Sequence, residues 1–143
     1  MNSHESQLAN SSEMNEVSNQ YYPNPVNIIN IKCANYLFKT LVLIDPLDIQ
    51  EGMMGKAFSQ HFQGALFLFG DGFEGYFWTK NCIIPLDIIY LKNGKINKIH
   101  HNCPPCLGEC RRYKGTGDMV LEIYGGLANQ LGIKPGMRIE LVA

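Results

Sequence analysis

The stretch from His100 to Cys110 is the most chemically loaded part of the chain. Two adjacent histidines precede thiols at Cys103, Cys106 and Cys110, spaced C-x2-C-x3-C. Thiolates and imidazoles suit a tetrahedral zinc ion, and a short loop would let several of them converge. Against that, structural zinc sites draw paired ligands from two separated knuckles, and here all candidates lie in one run. Cys103-Pro104-Pro105-Cys106 also has redox spacing, but no helix follows whose N-terminus would stabilise a thiolate. A third reading is structural: Pro104-Pro105 imposes an extended loop, and the cysteines are incidental or form one local bridge. The structural reading is preferred. Metal binding through Cys103, Cys106, Cys110, His100 or His101 ranks next, and redox chemistry last.

The second loaded stretch runs from Phe77 to Asp87. The chain's single Trp, Trp78, is followed closely by Lys80 and Asn81, with Asp87 beyond Pro85. Pro85 holds Ile84 extended and interrupts any ladder. Trp78, Lys80, Asn81 and Asp87 could surround a small polar or anionic ligand, with the indole as a flat wall. The alternative is a buried polar network that fixes a strand crossover, with Lys80 and Asp87 as an ion pair.

Other motifs are weaker. Gly70-Asp71-Gly72-Phe73-Glu74-Gly75 spells G-x-G-x-x-G, but dinucleotide binding needs a helix next. Tyr76-Phe77-Trp78-Thr79 is β-prone instead, so a glycine-rich turn is expected. Arg111, Arg112 and Lys114, with Lys92, Lys95 and Lys98, make a modest basic cluster that a solvated hairpin edge explains. No G-x-S-x-G elbow, H-E-x-x-H pair, P-loop or EF-hand loop marks an active site.

These residues must be positioned by a small domain. The chain has 143 residues, 45% of them hydrophobic and 17% charged, with a net charge of -1. That balance gives no reason to expect nucleic acid or an anionic membrane as partner. Residues 1–25 are rich in Asn and Ser, carry Glu5, Glu13 and Glu16, and contain no Lys or Arg. They read as a disordered tail without a secretion signal, and 26–143 as one domain. No apolar run approaches the roughly 20 residues that span a bilayer, and a cytoplasmic location is expected. Five cysteines there argue against a disulfide framework and for free thiols, metal or redox chemistry.

Val26–Asp45 reads as two strands broken near Ala34-Asn35, and Asp45-Pro46 as a helix start closed by Gly52 or Gly55. Strands follow at Gly64–Phe69 and Tyr76–Thr79, separated by a turn at Asp71-Gly72. Asn93-Gly94 joins Leu86–Lys92 to Lys95–His101 as a hairpin. Met119–Tyr124 is a further strand, Gly126–Leu131 one or two helical turns, and Arg138–Val142 the last strand. The fold class is mostly β (α+β): a compact barrel- or sandwich-like single domain with one or two short helices.

Several segments together resemble the domain of unknown function 192 family. They are Glu51-Gly52-Met53-Met54, Gly64–Phe69, Phe77-Trp78 through Lys80-Asn81 to Pro85-Leu86-Asp87, Pro104-Pro105-Cys106, Cys110, Tyr113, Val120–Ile123, Gly126, Leu131-Gly132-Ile133 and Pro135-Gly136. The resemblance runs from about Val26 to Val142. It implies a small β-barrel-like domain and no established activity. Trp78, Lys80, Asn81, Pro85 and Asp87 match the family's signature, which strengthens the binding-site reading. Thr79 replaces a usual Met, Met137 a usual Asp, and Cys82 and Cys103 are additions. Many members begin with a secretion signal and this chain does not, which argues against an extracellular role and against a disulfide between Cys106 and Cys110.

The functional expectation is a non-enzymatic binding or accessory domain with a small polar pocket near Trp78, Lys80, Asn81 and Asp87. Its partner would be a small molecule or protein. The alternative is a cysteine-based zinc or redox protein using Cys103, Cys106 and Cys110. No cofactor is implied; zinc is the metal that the thiols suit, without being expected.

Overall fold

A computed structural model describes residues 27–142; the tail expected over residues 1–25 lies outside them. The strands are β1 (Ile28–Cys33), β2 (Tyr36–Leu43), β3 (Gly64–Phe77), β4 (Leu86–Lys92), β5 (Lys95–Cys103), β6 (Tyr113–Tyr124) and β7 (Glu140–Val142). Two short helices, α1 (Pro46–Glu51) and α2 (Leu127–Leu131), complete the described elements. The strands form one open, mixed sheet in the order β5-β4-β6-β3-β2-β1-β7. Among the described strands, β2 and β3 are the pair that runs parallel, which the connection through α1 makes feasible.

Local chemistry accounts for most of these elements. The hairpin turns Ala34-Asn35 and Asn93-Gly94 have positive φ at both residues, as turns that match strand twist require. Asp45 caps α1 by accepting from the Leu47 amide at 3.0 Å, and Pro46 opens the helix. Gly126 and Gly132 bound α2 in left-handed conformations.

Two strands are longer than expected. The turn predicted at Asp71-Gly72 is an irregularity within a continuous β3, where the register against β6 jumps from Leu68↔Met119 to Phe73↔Gly117. Gly70 and Gly72 take the positive φ values there, and the offset stacks Phe69 on Phe73 at 4.4 Å between centroids. Strand β6 starts at Tyr113 rather than Met119. Its early glycines are close-approach positions rather than a loop: a Cβ on Gly115 would sit 2.5 Å from the Tyr90 ring, and one on Gly117 would meet the Leu91 carbonyl.

The sheet buries both faces, so Leu86–Leu91 of β4 are all buried. Leu86, Ile88, Tyr90 and Val120 belong to one core with Met53, Phe62 and Phe67. Ile89, Leu91, Leu121 and Ile123 belong to the other, with Ile31, Ala128 and Ile133. Alternation along β4 and β6 thus decides which core each polar residue of those strands meets.

Candidate functional site

Lys80 and Asp87 are near in sequence but serve different faces of the sheet. Asp87 is fully buried on the α2 side, where its Oδ1 accepts the amides of Asn102 at 2.7 Å and Gly126 at 2.9 Å. Its Oδ2 accepts the Ala128 amide at 2.7 Å. The carboxylate therefore caps α2 from a neighbouring strand, replacing the side-chain cap that Gly126 lacks. The ion pair considered for Lys80 and Asp87 is not formed. The Lys80 ammonium instead lies over the Trp78 ring, 5.3 Å from its centroid.

On the other face, Trp78 and Lys80 edge a cavity of about 250 Å³. Phe67, Phe69, Phe73 and Phe77 of β3 supply its aromatic wall, Ile49 to Met54 the side at α1, and Cys82 and Glu122 also line it. The phenyl rings brace one another edge-on: Phe67 meets Phe77 at 4.8 Å and Phe73 meets Phe77 at 5.7 Å. Asn81 and Asp87 do not line this cavity. Asn81 is exposed, in a left-handed conformation, and its backbone ties the rim down. Its amide donates to the Cys106 carbonyl at 2.9 Å, and its carbonyl accepts from Gly55 at 3.0 Å.

Glu122 is the polar group at the buried end of the cavity. It stands on β6 between Ala65 of β3 and Ile88 of β4, the middle of the sheet. Only 2% of its surface is exposed, and among the described residues no donor or cation partners its carboxyl. Burial pushes that carboxyl up to about 8, so near neutral pH it holds its proton. The neighbouring Cys82 thiol is pushed up to about 12, first by burial and then by Glu122, with Lys56 opposing. Such a thiol is inert as a nucleophile at neutral pH.

The cysteine loop is built differently from a metal site. Cys106 and Cys110 are joined in a disulfide with Cα atoms 5.8 Å apart, which consumes two of the proposed thiolate ligands. Cys103 is buried and free, and His100 binds the Lys114 carbonyl through Nε2 at 2.7 Å. His101 is exposed. Among the described residues, no three His, Cys, Asp or Glu side chains converge to hold a metal. The expectation against a Cys106–Cys110 bridge is thereby corrected: C-x3-C spacing across Gly108, with φ of 79°, lets the loop close on itself.

The model of the domain of unknown function 192 (DUF192) family, described as Uncharacterized ACR, matches residues 30–141. The chain belongs to the DUF192 family. Two solved structures resemble this DUF192 domain. A protein of unknown function from Novosphingobium aromaticivorans DSM 12444 is 29% identical, with a TM-score of 0.70 over 79% of this chain and 84% of that one. A protein from Sinorhizobium meliloti 1021, described as a "putative transcription regulator", is 27% identical, with a TM-score of 0.69 over 80% of this chain and 92% of that one. No curated protein matches. Among the described residues, no helix is long and apolar enough to cross a membrane.

The loop that carries the bridge also holds the rim in this DUF192 domain. Thr79 is buried and donates through Oγ1 to the Pro104 carbonyl at 2.6 Å, and the Cys106 amide donates to the Thr79 carbonyl at 3.3 Å. Replacing Cys106 and Cys110 by Ser should therefore cost about 2 kcal/mol, the loop-closure entropy of so short a ring. Hydrogen exchange should quicken at the Asn81 and Cys106 amides, while the β4 and β6 amides keep their protection. Equal quickening across the sheet would mean that the bridge acts globally rather than on the rim.

Sequence reasoning overlooked Glu122 and the β3 phenyl rings as site residues. The available signal was an acid at an inward position of an apolar strand, two residues after Val120.

Proposed function

We propose that this DUF192 domain is a non-enzymatic binding domain that takes a small molecule in the cavity between β3, the α1 loop and the Trp78–Cys82 segment. The single observation that supports it most is a carboxyl without a partner at the buried end of an aromatic cavity. The carboxyl opens onto the cavity without a donor or cation from the described residues, and a bound molecule can supply one. In this reading Trp78 is a wall of the cavity and Lys80 a charge at its edge. Asn81 contributes through its backbone, and Asp87 through the fold.

Nucleic acid and membrane are not the partners proposed. The net charge is -1, and two of the basic residues lie over rings, Arg111 at 5.2 Å from Tyr113 and Arg112 at 5.0 Å from Tyr76. A cytoplasmic location is retained in this proposal. Three buried free thiols, Cys33, Cys82 and Cys103, support it.

Trp78 is the chain's only Trp, so its emission reports directly on the cavity edge. Titration with a set of small aromatic and aliphatic fragments should give saturable changes. Met54→Phe, which fills part of the cavity from a half-buried position, should weaken each responding fragment about tenfold, or 1.4 kcal/mol. A response unaltered by Met54→Phe would locate the fragments elsewhere and remove the cavity from the proposal.

A further inference from the structure

The cavity combines aromatic faces with a carboxyl. Its rings present quadrupoles that attract a cation within about 6 Å of their centroids, and the Lys80 ammonium on Trp78 already shows the interaction at the edge. Glu122 adds a carboxyl that can carry the opposite charge. A neutral apolar guest would leave this carboxyl without a partner, and an anion would face the negative faces of the surrounding rings. A positively charged guest satisfies the rings and the carboxyl together.

We infer that the cavity is a site for a small organic ammonium ion, its cationic head held between Glu122 and the rings of Phe69, Phe73 and Phe77. This rests on the cavity proposed above and adds the charge class of its ligand. The volume of about 250 Å³ limits the guest's size. Drug-sized ligands occupy pockets of about 300–1,000 Å³, so the fit is to a methylated or primary ammonium group with one short substituent.

The surroundings of Glu122 make its proton the one that responds. From β4, Tyr90 is pushed up to about 12, mainly by burial. From β5, Cys103 is pushed up to about 11, again chiefly by burial, and Cys82 stands at about 12. Strand β3 brings Ala65 and Phe67, which carry no charge. Beside α1, Lys56 pairs with Glu51 at 3.3 Å, and Lys80 rests on Trp78. The empty cavity therefore holds a neutral carboxyl below about pH 8, and an ammonium guest displaces that proton to the solvent. Linkage then makes the apparent affinity rise about tenfold per pH unit until the carboxyl ionises unaided.

Isothermal calorimetry at about pH 6.5 and 8.5, in buffers of different ionisation heat, tests this on the full chain. The probes are tetramethylammonium, choline and benzylammonium, with 3,3-dimethylbutan-1-ol as choline's neutral counterpart. Ammonium probes should bind more tightly at the higher pH, releasing close to one proton each at the lower. Glu122→Gln should weaken them by at least ~30-fold at the higher pH, the smaller end of what losing a buried charge partner costs. It should abolish the proton release and leave the alcohol unaffected. If the alcohol matches choline at both pH values, or if fragments bind while no ammonium probe does, the ammonium assignment falls and the cavity stands. If neither probes nor fragments alter Trp78 emission, both fall.

Discussion

Glu122→Gln should make the protein more stable at pH 9 and leave its stability almost unchanged at pH 5. The folded carboxyl is raised to about 8 by burial, against an ordinary value of 4.5. Between those values the unfolded chain has released this proton and the folded chain still holds it. The unfolded state thus binds fewer protons, and stability falls as pH rises. The contribution is fully present below about pH 4.5, declines by about 1.4 kcal/mol per pH unit, and is exhausted above about pH 8. The whole loss is about 5 kcal/mol, a large share of the 5–15 kcal/mol typical of a domain. Glutamine keeps the shape and a neutral head group, so the difference between the two urea-unfolding profiles isolates this carboxyl from every other titrating group. Wild type should lose stability relative to the variant across that interval. Parallel profiles would mean that Glu122 ionises in the fold as readily as in water.

Some of this architecture was legible because local chemistry admits few solutions. Asn93-Gly94 tolerates the two positive φ values of its turn, and Asp45-Pro46 pairs a capping oxygen with a ring suited to a first helical turn. The parts that were not legible depend on residues distant in the chain. The Lys114–Asp118 stretch looks like a glycine loop until Tyr90 and Leu91 of β4 pack against it. The two halves of β3 look separate until β6 is seen to pair with both. Glu122 resembles the polar half of a half-exposed strand. It is buried in the middle of the sheet, between β3 and β4, and lines the cavity with Phe67, Met53 and Phe77. The Trp78–Asp87 segment combines two jobs. Pro85 and the alternation of β4 send its two ends to opposite cores, a division that sequence proximity conceals.

Asp87→Ala should be the most damaging single substitution in that segment, and its effect should fall on folding. Three backbone amides, those of Asn102, Gly126 and Ala128, end on one carboxylate. Hydrogen bonds to a charged group are worth about 1.5–3 kcal/mol each, and a buried donor left without an acceptor costs about 1–3 kcal/mol. The contributions overlap, so a loss of roughly 4 kcal/mol or more is expected, close to the whole stability of a modest domain. Asp87→Asn separates charge from shape. Its amide oxygen can keep the Oδ1 partners Asn102 and Gly126, but its NH2 group then faces the Ala128 amide donor. That conflict should cost about half as much and release the first turn of α2, visible as faster hydrogen exchange at Ala128 and Gln130. The cavity lies on the other face of the sheet, so folded Asp87→Asn should retain the Trp78 response of wild type to the same fragments. Urea unfolding reads the first effect and Trp78 emission the second. A substitution that spared stability while abolishing the response would return Asp87 to the binding site. The opposite pattern assigns it to the junction between β4, β5 and α2, where one carboxylate replaces the capping side chain that glycine cannot supply.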